Sequence, residues 1–310
     1  MPDAPLLKLG TRRSPLAMAQ AEEARARLCA AHGWPDSAVE LVPVIASGDK
    51  VQDRALAEIG GKALWTKELD QWLADGTIDA AVHSLKDVET IRPESLAIAA
   101  VLPRADKRDR LVGASSIAGL PQGAVVGTSA PRRAAQLLYA RPDCTVVTFR
   151  GNVATRLAKL QAGEADATFL AAAGLERLGR SDVGHALDPA DWLPAPAQGA
   201  IAIECRASDE RTRGTLAAID HAPSRAEVTA ERALLLALGG NCHSPIAVLC
   251  DLEGDTLAMR AALYSPAGQA RVEGEARFAL DDPAAPGRLA ADLLARAPSG
   301  ISAYFAGPPE

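Results

Sequence analysis

Val125-Val126-Gly127-Thr128-Ser129-Ala130-Pro131-Arg132-Arg133 passes from an apolar run, through a glycine and two hydroxyls, into a segment opened by proline and two arginines. Ala124–Val126 reads as a strand and Arg132–Ala140 as a helix. A strand that hands over directly to a helix is half of a βαβ unit. The same unit recurs on both sides. Upstream, Leu6–Leu9 reads as a strand and Pro15–Ala31 as a helix, with Ser14 as N-cap and Gly33 as its end. Val39–Ile45 is a strand, Ala63–Ala74 a helix and Asp79–His83 a short buried strand. Downstream come strand Thr145–Phe149, helix Val153–Gln161, strand Ala167–Leu170 and helix Ala172–Leu178. This order predicts an α/β protein with mixed, mostly parallel sheets covered by helices on both faces. Gly199–Cys205 adds a strand and Val228–Leu238 a strong helix. From Ala247 the pattern shortens to Leu257–Leu263, Ala270–Phe278 and a helix near Pro286–Ala295, the signature of a small α+β domain. No repeat is visible as sequence identity, although the two βα series could share a fold.

A chain of 310 residues that is 48% hydrophobic can bury more than one core, so two or three domains are expected. The formal net charge of -6 argues against nucleic acid as a partner. Met1-Pro2-Asp3 leads into no basic segment followed by an apolar one, and no apolar run reaches the ~18 residues a membrane span needs. The expectation is a soluble, cytoplasmic protein. Its five cysteines contain no CxxC pair, which suggests free thiols and no structural zinc or other metal. Ser47–Gly61 is polar and glycine-containing, and reads as a mobile lid between a strand and a helix.

Arginines recur where helices begin. Arg12 and Arg13 precede the helix capped by Ser14, Arg132 and Arg133 open another, and Arg150 and Arg156 flank the start of a third. A cation at a helix N-terminus costs roughly 0.3–1 kcal/mol, and stability alone favours Asp or Glu there. Any one of these could be a solvated surface residue. As a set, beside Ser and Thr at strand ends, they point to anion binding in the crevice of an open α/β sheet. No GxxxxGK[ST] or GxGxxG is present, and many arginines suit a polycarboxylate better than one phosphate.

Two further points carry chemistry. Ala81-Val82-His83-Ser84-Leu85-Lys86-Asp87 takes a buried strand into a charged tip, where Asp87 is either an acid/base or cation-stabilising carboxylate or half of a Lys–Asp loop pair. Leu238-Gly239-Gly240-Asn241-Cys242-His243-Ser244 follows a long apolar helix. Two glycines permit positive φ and present Cys242 on a tight loop, as an attachment thiol requires; an incidental loop cysteine is the bland alternative.

Taken together, these segments resemble the hydroxymethylbilane synthase (porphobilinogen deaminase) family. The matching stretches include Gly10-Thr11-Arg12-Arg13-Ser14-Pro15-Leu16-Ala17, Gly60-Gly61-Lys62, His83–Val88, Gly127-Thr128-Ser129 with Arg132-Arg133, and Arg150-Gly151-Asn152-Val153. Thr155-Arg156-Leu157, Ala173–Gly179, Gln198-Gly199-Ala200 and the Cys242 loop follow in order. The resemblance implies two lobes like those of a periplasmic binding protein, residues 1–100 with 200–218 and residues 101–199, and a cofactor-attachment domain over 219–310. It implies a dipyrromethane joined to Cys242 as a thioether, on which four porphobilinogen molecules are deaminated and condensed to a linear tetrapyrrole. Asp87 matches the catalytic aspartate. Ser84, Lys86, Thr128, Ser129, Arg132 and Arg133 match cofactor-binding positions, and Arg12, Arg150, Arg156, Arg177, Gln198 and Lys62 match positions for substrate or chain carboxylates. Arg13 matches no ligand. The family is usually monomeric, with a small-molecule substrate and neither nucleic-acid nor membrane partners. Ala130, Pro131, Asn241 and Ala247 depart from its pattern. A non-catalytic two-lobed carboxylate-binding protein is the rival reading; it leaves Asp87 and Cys242 unexplained.

Overall fold

The computed structural model describes residues 5–44, 66–240 and 244–305. In chain order its strands and helices begin with β1 (Leu7–Arg12), α1 (Pro15–His32), β2 (Val39–Val44), α2 (Lys67–Ala74), β3 (Ala80–Ser84) and β4 (Leu96–Val101). Next come β5 (Asp109–Val112), β6 (Val125–Gly127), α3 (Pro131–Ala140), β7 (Thr145–Val147), α4 (Val153–Gln161), β8 (Ala167–Ala171), α5 (Ala172–Arg177) and β9 (His185–Ala186). The chain continues through β10 (Ile201–Arg206), α6 (Glu210–Ala217), α7 (Ala222–Ala237), β11 (Ile246–Glu253), β12 (Thr256–Tyr264), β13 (Arg271–Ala279) and α8 (Ala285–Arg296).

The residues divide into two compact units. Of the described residues, the first takes those up to Ala105 together with Gly199–Arg225; the second takes Asp106–Gln198 and those from Ala226 onward. In the first unit the sheet order is β2-β1-β3-β10-β4. β1 lies parallel to β2 and β3, whereas β10 runs antiparallel to β3 and β4. The second unit repeats the scheme as β7-β6-β8-β5-β9, with β6 parallel to β7 and β8 and β5 antiparallel to β8 and β9. The two βα series therefore share a topology without sequence identity. Each mixed sheet holds one reversed strand inserted beside a βαβ core. The sequence reading omitted β4 and β5. β4 is half alanine, a weak strand former, and β5 opens with a charged pair.

Local chemistry sets the ends of the elements. Ser14 is extended (φ -63, ψ 148), its Oγ accepts from the Ala17 N–H, and Gly33 closes α1 in the left-handed region at φ 65. Leu9, Leu28, Ala80, Val82, Ile201 and Ile203 belong to the apolar core of the first sheet. In the second unit Leu111, Val126, Leu137, Phe169 and Trp192 form one core. The antiparallel sheet β11-β12-β13 and helices α7 and α8 enclose another. A smaller cluster of Ala135, Leu193, Ala247, Leu249, Ala262 and Tyr264 joins α3 to this three-stranded sheet. Among the described residues, no helix is long and apolar enough to cross a membrane.

Candidate active site

In the first unit the chemistry gathers at the C-terminal end of β3. Leu85–Asp87 forms a tight 3-10 turn, pinned where the Leu85 N–H donates to the Ala200 carbonyl of the returning strand (3.0 Å). The turn holds Asp87 half-buried in a cleft that Arg12, Ser14, Gln20, Thr66, His83 and Ser84 also line. Arg12 ends β1 and Ser14 begins α1, so the cleft lies where parallel strands meet a helix N-terminus. Among the described residues Asp87 has no hydrogen-bond partner, and its carboxylate is available to a ligand. Lys86 is half-buried beside it. Arg13, by contrast, is exposed.

Behind Asp87 the cleft is braced by buried polar groups. Ser84 and Gln20 exchange hydrogen bonds: the Gln20 amide donates to Ser84 Oγ (2.8 Å), and the Ser84 hydroxyl lies 3.0 Å from Gln20 Oε1. Gln20 occupies the buried stripe of α1 with Ala17, Ala21, Ala24 and Leu28. A polar residue at that period was the legible sign of a site residue, and sequence reasoning passed over it. His83 Nε2 lies 3.1 Å from Glu204 Oε2. Arg92 grips the same fully buried Glu204 through Nε and Nη2 (both 2.9 Å), and also pairs with Asp70 and Glu89. Burial would raise the Glu204 carboxyl, but His83 and Arg92 outweigh it and hold it down to about 2.

In the second unit Gly127 ends β6 beneath the ring of Phe149: a Cβ there would sit 2.3 Å from the ring. Thr128 follows, buried, with Oγ1 accepting from the Ala130 N–H (3.1 Å), and Ser129 is half-buried. Arg132 and Arg133 occupy the first turn of α3, each only 5% exposed. Both converge on Asp109, the first residue of β5, at 2.7 Å. Trp192 Nε1 and Gln198 Nε2 each complete the carboxylate's shell at 2.9 Å. Burial opposes ionisation of Asp109, but the two guanidiniums prevail and keep its carboxyl well below the usual carboxylate range. Sequence reasoning supplied these arginines with an external anion. Part of that demand is met internally by Asp109, whose only sequence signal is a carboxylate opening an apolar strand. Gln198, expected as a carboxylate ligand, spends its amide on Asp109 and the Lys107 carbonyl (2.8 Å).

Three expected carboxylate ligands lie elsewhere in the second unit. Arg150 is buried after Phe149; Arg156 is half-buried in the first turn of α4 and donates to the Gly151 carbonyl (3.0 Å); Arg177 ends α5, half-buried. Gly239 ends α7 at φ 65, and the Gly240 N–H returns to the Leu235 carbonyl (2.9 Å). This is the helix stop expected before the cysteine loop. Cys242 and Asn241, like Lys62 and the Ser47–Gly61 stretch, lie outside the described residues. The four described cysteines are buried thiols, and among the described residues no group of side chains is arranged to hold a metal.

Known proteins match this chain over nearly its whole length. The model of the porphobilinogen deaminase dipyromethane cofactor binding domain matches residues 7–214, and that of the porphobilinogen deaminase C-terminal domain matches residues 225–296. The porphobilinogen deaminase of Sphingopyxis alaskensis is 56% identical over 311 residues, covering 98% of each chain. That of Paracoccus denitrificans is 51% identical over 297 residues, covering 94% of this chain and 95% of its own. Among solved structures, an ancestral arginine-binding protein bound to arginine aligns at 14% identity with a TM-score of 0.36, covering 69% of this chain and 90% of that one; no functional weight rests on that likeness. With a turn-held Asp87 in a cleft beside Arg12, buried arginines at a second helix start, and two matched domains in the expected order, the chain belongs to the porphobilinogen deaminase family.

Proposed function

We propose that the protein is a hydroxymethylbilane synthase, a transferase that deaminates four porphobilinogen molecules and condenses them head to tail on a dipyrromethane primer, releasing the linear tetrapyrrole. Family membership over both matched domains supports this reading, and the placement of Asp87 carries it. A carboxylate held on a rigid turn, with no partner among the described residues, can accept pyrrole N–H groups. It also stabilises the positive charge that develops as porphobilinogen loses ammonia.

The donor set fits a dipyrromethane, which carries acidic N–H groups and several carboxylates. Asp87 supplies an acceptor, and Arg12, Lys86, Ser84, Thr128 and Ser129 supply cations and hydroxyls. Arg132 Nε and Arg133 Nε are buried donors without a partner among the described residues, a costly arrangement that a ligand carboxylate would relieve. When bound, the group supplies the nucleophilic pyrrole carbon that starts the chain and stays with the enzyme. We place its attachment at Cys242, as a thioether, because Gly239 and Gly240 close the preceding helix just before it in the sequence. Arg12, Arg150, Arg156, Arg177 and Lys62 take substrate and chain carboxylates, their planar forks or ammonium answering acetate and propionate groups. Gln198 acts on these groups through Asp109. We further place the protein in the cytoplasm as a monomer with residues 219–310 as its attachment domain. The buried thiols suit a reducing compartment, and the acidic net charge disfavours nucleic acid.

Intact mass tests the reading. The purified chain should exceed its sequence mass by a covalent dipyrrole, and Cys242→Ser should fold but lack both the added mass and turnover. A modified, active Cys242→Ser protein would overturn the attachment site. An unmodified wild-type protein that binds carboxylates without turnover would favour the non-catalytic reading.

A further inference from the structure

Asp109 is fully buried, and its two carboxylate oxygens are divided evenly. Oδ1 accepts from Arg133 Nη2 (2.7 Å) and Gln198 Nε2 (2.9 Å); Oδ2 meets Arg132 Nη2 (2.7 Å) and Trp192 Nε1 (2.9 Å). Two neighbouring guanidiniums repel each other, and a buried charge is tolerated only when paired and hydrogen-bonded. One anion between two cations answers both problems and leaves the trio with one net positive charge. Each arginine is fixed at a second point, Arg132 Nη1 on the Leu193 carbonyl and Arg133 Nη1 on the Phe169 carbonyl (both 3.0 Å). The guanidiniums are therefore fixed in orientation, with unused N–H groups, before any ligand arrives.

A second layer holds Asp109's own partner. Gln198 follows Ala197, the one described non-glycine residue at positive φ (58). That conformation is disfavoured for alanine and persists only when its surroundings enforce it. The Ala197 N–H donates to Glu231 Oε2 at 2.6 Å, and the other oxygen of this fully buried carboxylate accepts from the Cys250 N–H at 2.9 Å. Glu231 thus ties the strained residue to β11 and sets Gln198 against Asp109.

We infer that Asp109 is a positioning residue for cofactor loading: it presents Arg132 and Arg133 as a preorganised receptor for a dipyrromethane carboxylate, with Trp192, Gln198 and the Glu231-held Ala197 keeping it in place. This rests on the reading that the arginine pair binds that group. An ordinary buried salt bridge would contribute to stability alone, whereas a positioning residue also sets how fast the group is acquired. Outer partners of a binding group commonly change affinity or activity by about 10–100-fold when removed.

The test follows loading. Full-length protein is expressed in cells that cannot make porphobilinogen, mixed with porphobilinogen, and sampled by intact mass over time, with a thermal melt of each variant. Wild type should acquire the dipyrrole; if it does not, the proposed function fails and the inference with it. Asp109→Asn, which keeps size and removes charge, should load about tenfold or more slowly. Trp192→Phe keeps the ring stacked on Phe169 (4.9 Å between centroids) and removes one donor, and should load several-fold more slowly. If wild type loads and a folded Asp109→Asn loads at the same rate, whatever its melting temperature, the inference is overturned. If Asp109→Asn does not fold, Trp192→Phe decides alone: wild-type loading overturns the inference, and slowed loading at an unchanged melting temperature supports it.

Discussion

At the scale of the residue, Asp87 and Asp109 are two aspartates with opposite environments. Asp109 is surrounded by four donors, and the two guanidiniums hold its carboxyl well below the usual carboxylate range. Asp87 is half-buried, held by its backbone, with its carboxylate unspent among the described residues. The first arrangement fixes other groups; the second can respond to charge that appears during a reaction. Removal of one preorganised electrostatic group typically costs ~10²–10³ in rate. Asp87→Asn should therefore lose nearly all turnover, and Asp87→Glu, which keeps the charge but moves it, should lose less. Both variants are first weighed for the dipyrrole, so that a loading defect is not mistaken for a catalytic one. A loaded Asp87→Asn protein that turns over porphobilinogen within a few-fold of wild type would make Asp87 a loop residue only.

At the scale of the element, the junction of β6 with α3 shows how backbone geometry serves the arginines. Gly127 has no side chain because Phe149 fills that space, and Arg150 continues directly from Phe149. Gly127→Ala should push the ring aside, and overpacking of this kind costs typically 1–3 kcal/mol. Urea unfolding is the measurement. Phe149→Leu, which opens the space, should make the added methyl less costly, so the double variant should be more stable than the sum of the single losses predicts. An additive double variant would mean that the ring does not control this junction. Helix limits were readable from Ser14, Pro15, Gly33 and Gly239, because capping and positive φ are local demands.

At the scale of the whole molecule, buried carboxylates paired with cations govern acid stability. Glu204 titrates near 2 in the folded protein against an ordinary 4.5. A depressed folded value contributes stability that is present above the unfolded value and lost as pH falls toward the folded one. The Asp109 carboxyl is depressed in the same direction. Unfolding free energy should therefore fall between about pH 5 and pH 2, with a shallower decline in Glu204→Gln; an equal slope in both proteins would remove Glu204 from the account. The sequence by itself determined the βα alternation, the arginine-rich helix starts, the turn carrying Asp87 and the glycine stop before Cys242, since each depends on neighbours within a few positions. Only the tertiary structure decided that β10 returns 117 positions after Ser84 to pair with β3 (Ile201 opposite Ser84), that Gln20 braces Ser84, that Glu204 anchors His83, and that Asp109 gathers Arg132 and Arg133. These pairings join residues 23 to 121 positions apart. No periodicity or local propensity encodes them; they follow from which strands share a sheet and from the need of every buried charge for a partner.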